Sequence, residues 1–145
     1  MYIKEKLDRM KALQRDAKKI ASVVMMDTSE DFLNILRDQM LHGIDGNNQS
    51  YEYAIPAYAA MKERMNPLAN GAVDLKLTGD FQNELTLRVL SQNKYDVYSQ
   101  DWKNSILIKR YGKDIMATNE ENTQKYRREY FMPEFKKSAS ELING

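Results

Sequence analysis

The spacing of the apolar residues changes period along the chain, and this change separates helical segments from a short β region. Near the N-terminus, apolar residues recur at intervals of three and four positions, which is the spacing of one stripe of an amphipathic helix. The stripe consists of Ile3, Leu7, Met10, Leu13, Ala17, Ile20 and Ala21. The pattern predicts a long first helix from Ile3 to about Ala21.

Two shorter helices are predicted before residue 72. The string Asp27-Thr28-Ser29-Glu30 offers N-cap residues, and the apolar spacing after it predicts a helix from about Ser29 to His42. Pro56 suits a first helical turn, so a third helix is expected from there to Met65. Residues 43–53 and 66–72 are expected to be loops, because Gly, Asn and Pro are frequent in them.

Between residues 81 and 90 the apolar period falls to two. Leu85, Leu87 and Val89 alternate with polar residues, as in a strand with one buried face. Residues 95–99 alternate again after a polar stretch of hairpin length. An antiparallel hairpin is therefore predicted.

The string Leu77-Thr78-Gly79-Asp80-Phe81 precedes this hairpin. Glycine permits turn conformations that other residues resist, and the side chains of Thr78 and Asp80 can bond free backbone amides. Phe81 would then begin the buried side of the first strand. We interpret Thr78, Gly79, Asp80 and Phe81 as a structural corner that sets the direction of the hairpin and has no catalytic role.

The last third of the chain is predicted to be helical again. Residues 99–101 offer a cap for a helix that includes Trp102 and ends at Gly112. Residues 114–117 are expected to form a turn or a short strand. Pro133 is placed in the first turn of the last helix, where a missing N–H is tolerated.

These elements describe an α+β protein with long N-terminal helices, a small antiparallel hairpin in the middle and C-terminal helices. A single domain is expected over residues 1–145, a length that fits one hydrophobic core. Residues 1–72 form its mainly helical part with the loop 43–53, residues 73–100 the hairpin region, and residues 101–145 the helical C-terminal part.

The composition of the chain argues against several classes of protein. The chain has 22 Lys and Arg against 21 Asp and Glu, so its net charge of +1 gives no overall attraction to nucleic acid or membrane. Without cysteine it has neither disulfides nor thiol chemistry. The N-terminus is charged from its fourth residue, and no apolar stretch approaches ~20 residues, so a soluble protein without a signal peptide is expected.

No catalytic set accompanies the predicted elements. His42 is the only histidine, and the chain has no Gly-x-Ser-x-Gly elbow, phosphate loop or dinucleotide fingerprint. The sequence therefore predicts a protein that is not an enzyme and has no cofactor. A hydrolase that uses His42 with nearby carboxylates is a minor alternative, because a lone histidine at a helix end more often interacts with the helix dipole.

The loop after the second helix partly follows the spacing of a calcium-binding loop. Asp45, Asn47 and Gln49 alternate, but Tyr51 follows them and no Glu occupies the twelfth position, so no metal site is predicted. A polar loop of this kind suits contact with a neighbouring protein. Asp45 and Asn47 are therefore candidate interaction residues.

The first helix also carries a local excess of positive charge. Its polar side includes Lys11, Arg15, Lys18 and Lys19. These residues form either an ordinary solvated helix face or a contact with an acidic partner, and nucleic acid is one such partner. Aromatic residues between positions 95 and 131 lie among basic ones, a pattern that fits either core packing with a solvated rim or stacking on nucleic acid.

The order of parts resembles the tail-completion, or head-tail joining, family of tailed bacteriophages. The string Leu77-Thr78-Gly79-Asp80-Phe81 is similar to the Thr-Gly corner of that family, and Tyr111-Gly112 to its Tyr-Gly element after the hairpin. Residues 130–135 resemble its Phe-x-x-Pro entry to a last helix. Gln82-Asn83 stands where the family often has Arg, and the loop 43–53 is extra. The strings GIDGNN, MNPLANG and LTGDF also look like structural proteins of crAss-like phages.

The resemblance implies a structural protein of the virion. Such a protein forms a six- or twelve-fold homo-oligomeric ring in the neck, joining or sealing the portal vertex to the tail. Portal or adaptor and tail-tube proteins are its expected neighbours, DNA passes without specific binding, and synthesis takes place in the host cytoplasm. Tyr111 and Gly112 join the candidate interaction residues. The alternative is a cytosolic adaptor or regulator that binds nucleic acid through the basic N-terminal helix.

Overall fold

The computed structural model describes residues 2–76, 80–91 and 94–144, and it has the expected α+β architecture. Most of the described chain is helical, and one antiparallel hairpin lies in the middle of the sequence. In chain order the elements are α1 (Tyr2–Asp27), α2 (Ser29–Leu41), α3 (Pro56–Met65), a 3₁₀ turn (Pro67–Ala69), α4 (Asp80–Asn83), β1 (Leu85–Ser91), β2 (Lys94–Ser99), α5 (Asn104–Tyr111), a 3₁₀ turn (Lys113–Met116), α6 (Glu120–Tyr126), a π turn (Arg127–Phe131) and α7 (Met132–Asn144).

Helix α1 is longer than its apolar stripe predicted, because it continues through the apolar run 21–26 to Asp27. Thr28 separates it from α2. The Thr28 hydroxyl donates to the carbonyl of Val24 at 2.8 Å and lies 2.7 Å from the Tyr126 hydroxyl. The side chain of Thr28 thus ties the junction of the two helices to α6.

The hairpin is confirmed, with Leu85 opposite Ser99 and Leu87 opposite Val97. Leu85 and Leu87 are buried as the alternation predicted, whereas Val89 is 38% exposed because the outer part of the hairpin extends beyond the core.

The predicted role of Phe81 as the first residue of the strand is wrong. Asp80 and Phe81 belong to the helical turn α4, which is closed by a hydrogen bond from the Glu84 N–H to the Asp80 carbonyl at 3.0 Å. Phe81 is 2% exposed, and its carbonyl accepts a hydrogen bond from the Ser99 hydroxyl at 2.8 Å. The strand begins only at Leu85. Thr78 and Gly79, the other two residues of the predicted corner, lie outside the described residues.

The predicted starts of two helices in the last third need correction. Helix α5 begins at Asn104, so Trp102 precedes it and is 74% exposed. Of the turn or short strand expected at residues 114–117, the turn is confirmed as a 3₁₀ turn over residues 113–116. Pro133 lies in the first turn of α7, but this turn is not a free helix start as predicted, because α6, the π turn and α7 follow one another without interruption. The widened π turn directly before Pro133 accommodates a residue that cannot donate a backbone hydrogen bond.

Among the residues that the structure describes, two clusters of buried apolar side chains form the core. The larger consists of Leu33, Leu36, Met40, Phe81, Leu85, Ile115 and Met116, and the smaller of Met25, Ile35, Leu87 and Tyr126. Both draw on α2, on the hairpin and on the segments that follow it. We call the described residues between 24 and 126 the head.

Residues 2–23 of α1 and helix α7 form a second region, which we call the arm. The two helices run antiparallel, and the Arg9 guanidinium donates to the carbonyl of Ile143 at 3.3 Å. No residue of α7 is fully buried, and the only buried residues of α1 are Val24 and Met25, where it enters the head. Each arm helix is therefore covered on one side only.

Candidate interaction surfaces

The loop 43–53 is held in place by the carboxylate of Asp45. One of its oxygens accepts hydrogen bonds from the N–H groups of Asn47 and Gln49, both at 2.9 Å, and the other accepts from the Tyr51 hydroxyl at 2.7 Å. Asp45 is 2% exposed. The prediction of Asp45 as a surface contact is therefore corrected: its carboxylate turns inward because the loop's own amides and Tyr51 bind it.

These hydrogen bonds change the pKa values of both side chains. Burial alone would raise the pKa of Asp45, but the hydrogen bonds from Tyr51 and the two amides hold it below its ordinary value. The hydrogen bond to Asp45, together with burial, raises the pKa of Tyr51 to about 12. At neutral pH the pair is thus a carboxylate and a neutral phenol.

The same loop packs against the segment after α5. The Asn47 amide donates to the Asp114 carboxylate at 2.7 Å, and the Gly46 N–H donates to the Asp114 carbonyl at 2.8 Å. The ring centroids of Tyr51 and Tyr111 lie 5.2 Å apart. The structure therefore brings four predicted residues into one neighbourhood: Asp45, Asn47, Tyr111 and Gly112.

This neighbourhood serves mainly to fix the loop. Asp45 is buried, Tyr111 is half-buried against the core, and Asn47 and Gly112 are exposed. Gly112 ends α5 with a φ of 91°, a conformation that favours glycine. Of the four residues, Asn47 and Gly112 are the most accessible to a partner.

A buried ion pair, which the sequence analysis missed, fixes α3 to the following segment. The Lys62 ammonium lies 2.8 Å from the Asp74 carboxylate, and these side chains are 3% and 2% exposed. Lys62 also donates to the carbonyl of Lys76, and the Asn66 amide donates to Asp74 at 3.0 Å. Burial would raise the pKa of Asp74, but the hydrogen bonds from Lys62 and Asn66 keep it below its ordinary value.

His42 ends α2 in the way that its position predicted. Its Nδ1 lies 2.8 Å from the carbonyl of Asp38, one turn earlier, and 3.8 Å from the Asp38 carboxylate. Within residues 2–76, 80–91 and 94–144, no three His, Asp or Glu side chains are grouped so as to hold a metal ion. In the same ranges, no helix is both long and apolar enough to cross a membrane.

The predicted basic residues of the arm do share one exposed face of α1. Lys11, Arg15 and Lys18 follow one another at intervals of four and three, and Lys19 adjoins them. Arg15 has a long contact of 3.4 Å with Asp16. Among the residues the structure describes, no salt bridge involves the three lysines.

An apolar stripe lies beside this basic face near the start of α1. Ile3 is 80% exposed, Leu7 49% and Met10 53%. Their spacing of four and three places them on one side of the helix. We call these three residues the arm stripe.

A surface cleft of the head lies beside α3. It is an open cleft of about 660 Å³ between the segment 50–53, α3 and the segment 68–72, and we call it the α3 cleft. Ala59, Ala60 and Leu68 supply apolar lining, and Leu68 is 59% exposed. The charged residues in its lining are Glu52 and Glu63, with His42 at its edge.

Comparison of the chain with family models, with curated proteins and with solved structures gave no match.

Proposed function

We propose that this protein is a non-enzymatic structural component of a tailed-phage virion, which forms a ring in the neck and joins or seals the portal vertex to the tail. The proposal is supported by the motifs quoted above and by the order of the elements, in which a long N-terminal helix and further helices precede a hairpin and a final helix. Beside the resemblance, one physical observation supports the proposal.

That observation is the arm stripe. Ile3, Leu7 and Met10 expose apolar side chains on a helix that packs against α7 through other residues, such as Arg9. Full burial of a fully exposed side chain of this kind contributes roughly 1.5–3 kcal/mol, so covering the exposed part of the stripe with a partner is favourable. Clustered apolar residues beside charged ones are typical of a protein–protein contact.

A ring requires each subunit to offer two different surfaces. The arm and the α3 cleft are two such surfaces on separate elements. The proposed homo-oligomer is six- or twelve-fold, and portal or adaptor and tail-tube proteins are its neighbours. A net charge of +1 suits a wall past which DNA moves without specific binding.

Labelling of purified virions tests the proposed location. An antibody against this protein, seen by electron microscopy, should mark one site between head and tail, and the mass spectrum of the particles should contain the chain. Particles assembled without the protein should be unable to hold a tail. Intact, fully tailed particles that lack the chain would exclude this function.

Nucleic-acid binding through α1 is the second candidate, because Lys11, Lys18 and Lys19 are exposed and have no salt bridge in the described structure. Phosphate contacts of this kind depend strongly on salt. In a gel shift at low salt, changing Lys11, Arg15, Lys18 and Lys19 to Glu should abolish binding.

The matched control for this experiment changes four exposed basic residues elsewhere to Glu: Lys109, Lys113, Arg127 and Lys136. It alters the net charge by the same amount and leaves α1 intact. Equal loss of binding in both variants would indicate a general charge effect, and absence of binding by the wild type at low salt would remove this candidate.

A further inference from the structure

We propose that the arm stripe of one copy docks in the α3 cleft of the next copy. This inference deepens the proposed function and rests on its self-assembly, because it names the two surfaces that would meet. The partner it commits to is a second copy of this chain.

Apolar complementarity is the first argument. Ile3, Leu7 and Met10 lie on one side of α1 and are half or more exposed. The lining of the α3 cleft includes small apolar side chains, among them Ala59 and Ala60, and its volume of about 660 Å³ can take several side chains. A row of apolar side chains and an open groove of small residues fit each other as a helix fits a groove.

Charge complementarity is the second argument. Lys4 and Lys11 lie three positions before and four positions after Leu7, so both border the arm stripe on the surface of α1. Both are exposed, and neither has a salt bridge in the described residues. The charged residues that line the cleft, Glu52 and Glu63, are acidic and exposed. The two surfaces thus carry opposite charge.

The placement of the two surfaces decides the kind of contact. The stripe belongs to residues 3–10 and the cleft to residues 42–72, so the contact joins different patches on the two copies. A contact of this heterologous kind leaves one stripe and one cleft free at the ends of every open oligomer. Further copies can add until a ring closes, which a symmetric dimer through α1 alone would not allow.

Two charge-reversed variants test the inference. The arm variant carries Lys4→Glu and Lys11→Glu, and the cleft variant carries Glu52→Lys and Glu63→Lys. In the first, both surfaces are acidic; in the second, both are basic. Each alone should assemble at least about tenfold more weakly than the wild type in sedimentation velocity, because like charges then meet at the contact. All four positions are exposed, and circular dichroism verifies that each variant is folded.

An equimolar mixture of the two variants is the decisive sample. The acidic arm of one then faces the basic cleft of the other, and the remaining arm and cleft keep their original charges. Assembly should return to within a few-fold of the wild type. The matched control, Lys109→Glu with Lys113→Glu, makes the same charge change as the arm variant and should assemble normally.

Each other outcome overturns the inference. If the cleft variant assembles normally while the arm variant does not, the stripe binds another surface, as in a symmetric α1 dimer. If the mixture fails to recover, the two patches do not meet. A wild type that stays monomeric at the highest concentration measured excludes the contact altogether. Virion labelling separates this inference from the proposed function. If the antibody labels the necks but the charge reversals do not affect assembly, the proposed function stands and the contact is excluded. If the mixture of variants recovers assembly but the protein is absent from virions, the contact stands and the proposed function is excluded.

Discussion

The head and the arm consist mostly of helices, yet only the head has a core of fully buried apolar residues. In the head, α2 places Leu33, Leu36 and Met40 at 2% exposure or less, in contact with residues from the hairpin and the last third of the chain. In the arm, α1 leaves Ile3 and Met10 more than half exposed. The head thus has a buried core within one chain, although surface residues such as Leu68 and Trp102 stay exposed. The arm has no fully buried residue and leaves its stripe uncovered.

The polar groups differ in the same way. Head residues such as Asp45, Asp74 and Gln82 are buried and fully hydrogen-bonded, and no buried side-chain N or O atom of the described residues lacks a partner. In the arm, the polar contacts are mostly exposed, as in the Glu5–Arg9 pair at 2.8 Å. Exposed pairs contribute little to the free energy of unfolding, so the arm should open locally more easily than the head.

Removal of the buried cation should have the largest effect. Lys62→Met leaves Asp74 buried without its cationic partner, and loss of one partner of a buried pair costs about 3–5 kcal/mol. Urea denaturation followed by circular dichroism measures the change. The double variant Lys62→Met with Asp74→Asn removes both charges and should recover part of the loss. A single variant within about 1 kcal/mol of the wild type would contradict the structural role of this pair.

The same substitution at one site in each region tests the comparison directly. Leu36→Ala in the head should lower the free energy of unfolding by about 2–5 kcal/mol, because Leu36 is 0% exposed. Leu7→Ala in the arm should cost less than about 1 kcal/mol, since Leu7 is 49% exposed. Urea denaturation of both variants gives the difference, and equal losses would show that the arm has a core of its own.

A smaller loss of stability is expected when a side chain is added in the loop 43–53, where it packs against Ala117. A Cβ at Gly46 would lie 2.9 Å from the Ala117 Cβ and 3.0 Å from the Ala117 carbonyl oxygen. Gly46→Ala should therefore cost about 1–3 kcal/mol, and differential scanning calorimetry should show a lower Tm. Ser140→Ala, at an exposed position of α7, is the arm control and should change stability by less than about 0.5 kcal/mol.

Mild acid should have the smallest effect. The pKa values of Asp45 and Asp74 lie below the ordinary value of 3.8, so their contribution to stability is full above about pH 3.8 and is lost as the pH falls through the lower folded-state values. Between pH 7 and 5 these two groups should leave stability unchanged. Because Tyr51 and Tyr53 bind the two carboxylates, near-ultraviolet circular dichroism in strong acid reports on this part of the head. If the near-ultraviolet signal of this part of the head is already lost near pH 5, the result would contradict the lowered pKa values of Asp45 and Asp74.

Local patterns predicted the elements more accurately than their ends. The apolar stripe located α1, yet the helix continued to Asp27 because Val24 and Met25 pack into the head. The strand alternation from Leu85 was predicted, but Phe81 joined a helical turn, since its side chain fits the core beside Leu36 and the Ser99 hydroxyl binds its carbonyl. Contacts with residues distant in sequence decided these boundaries.

In the candidate surfaces, too, local patterns predicted some features and contacts between distant residues decided the others. The spacing of Lys11, Arg15 and Lys18 was sufficient to place them on one exposed helix face. The accessibility of Asp45 was not predictable, because it depends on how the loop folds around its carboxylate. No periodicity marked Lys62 as buried, since its partner Asp74 lies on the other side of a loop.

The sequence by itself determined the order and type of the main elements, because helical and strand periods are local properties of the chain. It also determined the charge of each helix face. Only the tertiary structure decided which polar groups are buried, where the α3 cleft lies, and that Ile3, Leu7 and Met10 are left uncovered. Those features depend on which distant segments pack together. The sequence pattern of an apolar helix residue is the same whether its own chain or a neighbouring copy covers the side chain.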